Sequence, residues 1–347
     1  MPSRSDWISV ASAEVAGEDP LKKLTWKSKD DQTFLPIYSS EDINDLKPNA
    51  TFSLGNDLAA RAWANMPEVH VGDETKANEI ALQHLQNESE GVIFRVSDSS
   101  VDLRKLLHGI VWEHCTISFI SENTGFKKTL DTFIKESSYD TGLISGSFFS
   151  GDPQDLAWSP TSFRSLGIAI DESTPVQEIS FALMKGVRII DQYTRTGGQP
   201  ADAISTIAFL FPLGKELFME VAKLRAMRRL WFQVAKAYGV DDYSLDDLYL
   251  HGYSAASVNE NFQPHGNMLK STISAIAGIA AGCNALTIQP EDPGNHMMAR
   301  VARNTSHILL EESHLNKVSD PFAGSYAVEA ITDELARKAW DRFQTML

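Results

Sequence analysis

A chain of 347 residues with 43% hydrophobic side chains has room for one large domain with a sizeable core and an extension beside it. A formal net charge of −15 argues against a nucleic-acid or anionic-membrane surface, which needs clustered Lys and Arg. No apolar run reaches the roughly 20 residues of a membrane-spanning helix. The opening MPSRSDWISVASAEVAGEDP lacks the apolar centre of a secretory signal, so a cytoplasmic location is expected. The two cysteines, Cys115 and Cys283, read as buried thiols of a reducing compartment.

Residues 1–55 are polar and interrupted by Pro20, Pro36 and Pro48, which predicts an extended N-terminal arm with a short helix at best. From there to residue 347 the pattern repeats as short apolar run, loop and amphipathic helix. Strands are expected at 61–66, 91–96, 116–120, 143–149, 165–170, 206–211, 248–253 and 284–288. Most are near-continuous apolar runs, as in strands buried on both faces. The clearest helix covers about 214–239, with Leu217, Val221, Leu224, Arg228 and Trp231 near one stripe beside Phe218, Met227 and Val234. Eight strands alternating with helices imply a parallel sheet, and eight permits closure into a (β/α)8 TIM barrel over residues 56–347. An open doubly wound sheet is the alternative, weakened because no Gly-x-Gly-x-x-Gly follows an early strand.

In a barrel the chemistry sits beyond the C-terminal ends of the strands. After the fifth strand stand Asp171 and Glu172, a pair suited to acid–base work or, more plainly, to the start of the next helix. After the seventh come His251, Tyr253, Ser254 and Ser257, then Asn259, Asn261 and His265; either histidine could serve as a base or be satisfied by the backbone. Gln289–Gly294 follows the eighth strand with turn chemistry, and Asp320–Tyr326 is a glycine-containing loop before a helix. The nine histidines include no His-Glu-x-x-His pair or other metal-ligand spacing. From residues alone the reading ends at an acidic α/β barrel of unknown chemistry.

Four stretches carry a resemblance: FPLGKELFMEVAKLRAMRRLW (211–231), GNMLKSTISAIAGIAAGCNALT (266–287), ARVARNTSHILLEES (299–313) and DPFAGSYAVEAITDELARKAW (320–340). Together with Trp7, GEDPLKKLTW (17–26) and PIYSSEDI (36–43), they resemble the methylmalonyl-CoA mutase family over nearly the whole chain. That resemblance implies a (β/α)8 barrel threaded by the CoA of the substrate. It also implies adenosylcobalamin as the cofactor, for a radical exchange between succinyl-CoA and methylmalonyl-CoA.

The strand ends depart from the family's pattern. The Gly-Tyr-His-x-x-Glu-Ala-Gly segment of catalytic members reads Gly167 to Thr174 here, with Ile168 and Ala169 at the tyrosine and histidine positions and only Glu172 kept. In the His-x-Gln-Thr-Ser-Gly segment His251 stays but Tyr253 replaces glutamine; a CoA-side arginine appears as Thr206, and a strand-one tyrosine as Trp63. An arginine of the fourth strand falls on an apolar residue of 142–149. No histidine has Asp two residues before it, so the cobalt-ligating Asp-x-His-x-x-Gly motif of the family's C-terminal cobalamin-binding domain is absent from the sequence. Loss of several preorganised polar groups should abolish turnover.

The resemblance therefore points to the small, non-catalytic subunit. Its expected partner is a large catalytic chain, or a second copy of itself in isolation. Cobalamin would be bound by the assembled enzyme and not by this chain alone, with Glu172 and His251 as the remaining catalytic candidates. The alternatives are a divergent acyl-CoA mutase served by a separate cobalamin-binding protein, and a CoA-binding or chaperone-like barrel. A degenerate mouth should have its channel filled by Trp63, Phe148, Phe149 and Tyr253.

Overall fold

The computed structural model describes residues 3–28, 32–43, 62–151, 162–254, 266–292 and 294–347. The arm holds more helix than its composition suggests. Helix α1 (Arg4–Glu14) starts from a reciprocal cap in which Ser3 and Asp6 satisfy each other's backbone N–H groups, and α2 (Pro20–Leu24) is capped by Asp19. Only Ala11 of α1 is buried, so no apolar stripe announced the helix. A two-rung antiparallel hairpin, β1 (Trp26–Lys27) and β2 (Thr33–Phe34), follows. Phe34 and Tyr38 pack on the main core, and Arg4 pairs with Asp42 at 2.7 Å, so the arm lies on its own domain.

The main body opens with β3 (Ala64–Asn65), β4 (Glu68–Val71) and α3 (Glu74–Gln86). It continues through β5 (Gly91–Val96), α4 (Leu103–Leu106), β6 (Thr116–Ile120), α5 (Thr124–Glu136), β7 (Gly146–Ser150) and β8 (Phe163–Ala169). Then come α6 (Pro175–Arg195), α7 (Pro200–Thr206), β9 (Ile207–Leu213), α8 (Leu217–Ala237), β10 (Tyr249–Ser254) and α9 (Gly266–Ala280). The chain finishes with β11 (Ala285–Thr287), α10 (His296–Glu311) and α11 (Tyr326–Met346). The strands from β3 onward form one parallel sheet in the order β3-β11-β10-β9-β8-β7-β6-β5-β4.

Its two ends are one stave. Only Met66 and Pro67 separate β3 from β4, and the ladder runs through them: the Met66 amide donates to Leu286 O at 2.9 Å, and the Ile93 amide to Pro67 O at 3.1 Å. One half pairs with β11 and the other with β5, so the sheet closes as an eight-staved barrel. The expected first strand, 61–66, was only the earlier half. Glu68-Val69-His70-Val71 was missed because it follows a proline and carries charge on its inward side. The fourth strand begins at Gly146 rather than 143, since Asp140–Leu143 is a turn closed by Leu143 N–H to Asp140 O. The sixth begins at Ile207, and Thr206 closes α7.

Side chains of the staves alternate. Ile93, Ile120, Phe149, Ala208, Leu210, Ala285 and Met66 form an apolar axial cluster. Their neighbours Val92, Phe94, Phe119, Phe148, Ile168, Phe209 and Leu250 face the helices. A Cβ at Gly167 would lie 2.6 Å from the Phe149 ring, so glycine makes room for that ring on the axis.

Helix α11 lies across α6 and α8 from outside, which leaves α8 buried on nearly every face. Its charges are accordingly paired. Lys223 Nζ lies 2.6 Å from Glu178, 2.5 Å from Glu220 and 2.6 Å from Pro212 O; burial alone would lower its pKa, but the two carboxylates more than reverse this and raise it. Arg225 bonds Asp320 and Glu329, the latter at 2.5 Å, and Arg228 donates to the carbonyls of Leu245, Leu248 and Gly282. Phe218, expected on the packed stripe, is instead 55% exposed. Lys223→Met should therefore cost about 3–5 kcal/mol, because two buried carboxylates lose their cation. Phe218→Ala should fall within about 0.5 kcal/mol of the native protein. Urea unfolding of the two variants checks both.

Candidate functional site

The C-terminal mouth of the barrel draws its polar groups from the first stave and β5 beside it, from β10, and from the turn after β11, which lies between β10 and the first stave. Tyr253 near the end of β10 donates its hydroxyl to Glu68 Oε2 at 2.7 Å. Arg95 of β5 bonds Glu68 Oε1 through Nε and reaches Tyr253 Oη through a terminal nitrogen at 3.0 Å. Gln289 donates to Glu68 Oε2 at 3.0 Å and also bonds Tyr253 Oη. Burial by itself would raise the Glu68 pKa, but the Arg95 guanidinium more than offsets it, and the carboxyl sits below its usual range. Burial and then the Glu68 charge push the Tyr253 phenol upward, which keeps it a donor. The four groups bond one another, while Arg95, whose side chain is 35% exposed, keeps further guanidinium N–H groups beyond these bonds.

One layer deeper, His251 is fully buried and its Nε2 lies 2.8 Å from Thr287 Oγ1. The single Thr287 proton goes to Met66 O at 2.7 Å, so Nε2–H is the donor in the first bond. Nδ1 is then an unprotonated, buried nitrogen without a partner. Phe149 meets the imidazole edge-on, with centroids 5.6 Å apart. With no carboxylate beside it, burial takes the His251 pKa down to about 3. A neutral, enclosed imidazole bonded to a threonine packs the axis; it has no open path for a proton.

The other positions singled out from the sequence are spread around the barrel. Ile168 faces the helix layer and not the mouth, and Ala169 faces the axis with no polar atom. Asp171 is exposed and Glu172 partly so, but the cap of α6 is Thr174, whose hydroxyl accepts from the Gln177 amide. Thr206 lies at the opposite end of the barrel from the mouth, where its hydroxyl donates to Asp202 O and Ala203 O. Trp63 and Phe148, expected to fill the channel, do not: Trp63 packs under α10 with its indole N–H on Ser306 Oγ at 2.8 Å, and Phe148 stacks toward Phe126 of α5. Strand alternation sends both outward, whereas Phe149 and Tyr253 do face the axis. Ser257, Asn259, Asn261 and His265 lie outside the described residues. The Asp320–Tyr326 loop is a structural turn, with Asp320 on Arg225 and Gly324 in a left-handed conformation at φ 75°.

The profile of the methylmalonyl-CoA mutase family matches residues 157–346, more than half of the chain. The chain belongs to the methylmalonyl-CoA mutase family. It is 30% identical to the methylmalonyl-CoA mutase small subunit of Porphyromonas gingivalis over 98% of this chain and 62% of that protein. It is 36% identical to the small subunit of Streptomyces virginiae over 50% of this chain and 28% of that one. With the methylmalonyl-CoA mutase of Escherichia coli it shares 33% identity over 47% of this chain and 24% of that one. The chain thus spans less than two thirds of the length of the curated relatives it matches.

Within this mutase-family barrel, Glu68, Arg95 and Gln289 are the mouth residues that sequence reasoning missed. A signal was available: Glu68 and Arg95 are charges inside otherwise apolar strand segments, which require a buried partner. The location of Gln289 in a Pro- and Gly-rich turn disguised it.

No described helix is long and apolar enough to cross a membrane. Among the described residues no group of three His, Cys, Asp or Glu could hold a metal ion.

The depressed His251 pKa makes a prediction for stability. An unfolded histidine takes up its proton near 6.5 while the folded one stays neutral to about pH 3. The unfolded state therefore binds more protons in that window, and stability, complete above about pH 6.5, falls as pH drops toward 3. His84, lowered by burial and then by Arg303 to about 4, adds a second such proton. His251→Gln should flatten the stability–pH curve below pH 6.5 by up to about 1.4 kcal/mol per unit, measured by urea unfolding across pH 4.5–7.

Proposed function

We propose that this chain is the small, non-catalytic partner of an adenosylcobalamin-dependent methylmalonyl-CoA mutase, assembling with a large catalytic chain. The observation that carries the reading is the mutually bonded cluster of Glu68, Arg95, Tyr253 and Gln289 over the apolar axial core topped by Phe149 and His251. A thioester carbonyl binding there would need a free donor, and an organocobalt cofactor would need an open nitrogen together with donors for the corrin amides. Ala169 offers no polar atom, His251 has Nε2 on Thr287 and Nδ1 enclosed in the core, and Glu68, Tyr253 and Gln289 bond one another, which leaves Arg95 as the member of the cluster with N–H groups to spare. One guanidinium supplies neither the nitrogen ligand of an organocobalt cofactor nor the several donors its corrin amides would need. The relatives named small subunit support the same assignment.

Co-expression with the catalytic mutase chain of the same genome, purified through a tag on this chain alone, tests the proposal. Stoichiometric recovery of the catalytic chain is expected, with mutase activity in the eluate. This chain by itself, mixed with adenosylcobalamin and succinyl-CoA, should give neither turnover nor a corrin spectral change. Recovery of this chain alone, or turnover without a partner, would overturn the assignment.

A further inference from the structure

A cavity of about 680 Å³ lies on the flank of the barrel, in the cleft between α3 and α10. It is the size of a small-molecule pocket. Its floor is the C-terminal half of the divided first stave and the residues after β11, and it has an apolar side at Ile80, Ile288 and Met297. Its polar side is cationic. Arg300 and Arg303 stand one turn apart on α10, and His84 faces them from α3.

These charges lack counterparts. The single carboxylate among the described lining residues is Glu68, already matched by Arg95 and Tyr253. No described carboxylate lies within ion-pair distance of Arg300 or Arg303, and among the described residues the Arg303 guanidinium bonds the Asn304 amide oxygen, at 3.3 and 3.4 Å. Arg303 is nonetheless buried, at 8% exposure, and Arg300 is close enough to destabilise its charge further. Buried charges are ordinarily paired, and like charges one helical turn apart repel. An independent observation comes from the opposite wall: His84 is also only 8% exposed, and its Nδ1 is a buried nitrogen with no partner. Two guanidiniums without a carboxylate partner among the described residues, and an imidazole with one buried unpartnered nitrogen, line one cavity from two helices.

We propose that the α3–α10 cleft binds a phosphoryl group, held by Arg300 and Arg303 and approached by His84, with the rest of the ligand lying against Ile80, Ile288 and Met297. A tetrahedral phosphate suits this arrangement better than a planar carboxylate, because it presents oxygens to donors arriving from two helices at once. The anion-binding side chains stand on α3 and α10, outside the barrel, although the cavity floor shares Glu68 and Gln289 with the mouth cluster. Inorganic phosphate and the phosphate groups of coenzyme A share the required chemistry.

Calorimetric titration of the full chain with inorganic phosphate, in a phosphate-free zwitterionic buffer, tests the site directly. Saturable binding is expected, together with a rise in Tm that grows with phosphate concentration, since a ligand of the folded state stabilises it by mass action. Arg300→Gln and Arg303→Gln should each weaken binding by at least about tenfold, the loss of one charge-assisted contact. Arg300 is exposed and its replacement leaves the core intact, so it decides the matter even if the Arg303 variant folds poorly. Coenzyme A that binds more tightly than phosphate, with the same dependence on Arg300, assigns the group to a CoA-type ester; equal affinity assigns it to a free oxyanion. Absence of saturable binding by the native chain, or binding that Arg300→Gln leaves unchanged, would overturn the proposal.

Discussion

The barrel closes because one short stave divides its hydrogen bonds between two neighbours. Ala64 and Asn65 give theirs to β11, and Glu68 to Val71 give theirs to β5, with Met66 and Pro67 passing the ladder from one side to the other. Proline can sit at that point because the missing N–H falls where the pairing changes hands. Everything inside depends on this closure. It brings Glu68 opposite Tyr253, residues 185 positions apart, and sets Met66 O where Thr287 can donate to it. An open sheet would leave Glu68 and Arg95 at one edge, without the phenol and amide from the far side.

The same stave links the two sites. Its inward face supplies the carboxylate of the mouth cluster, and the cleft beyond it contains the unmatched arginines of α10. The contrast between the sites is one of satisfaction. At the mouth, each charge has an opposite charge or a directed hydrogen bond, as the cost of burial requires. In the cleft two guanidiniums have no carboxylate partner among the described residues, and the His84 imidazole keeps one buried nitrogen without a partner. A mutase-family barrel has here a polar but self-contained mouth, and keeps its unspent positive charge on the flank.

Stability is concentrated on the opposite side of the barrel, where α11 seals α6 and α8. Three cations of α8, at positions 223, 225 and 228, enter the interior, and each arrives with acceptors fixed in advance. Such pairs add little over a hydrophobic equivalent, but removing one partner is costly. They hold α8 in one register against α6, α11 and the loop at Asp320.

The sequence by itself determined the alternation of strand and helix, the eight-staved barrel and the family. Those depend on local apolar periodicity and on long helical segments, which are written in consecutive residues. It also marked Phe149 and Tyr253 as residues of the axis. It misassigned Trp63 and Phe148, because inward or outward facing turns on a register of one residue, and that register is fixed only when all the staves pair. It could not show that Glu68, Arg95, Tyr253 and Gln289 meet, since their positions span 68 to 289 and adjacency follows from closure. The burial that holds His251 neutral, and the unmatched charge of Arg300 and Arg303, likewise belong to the tertiary structure alone. A side chain's pKa and its need for a partner are set by what surrounds it in space, and the chain's order does not record that.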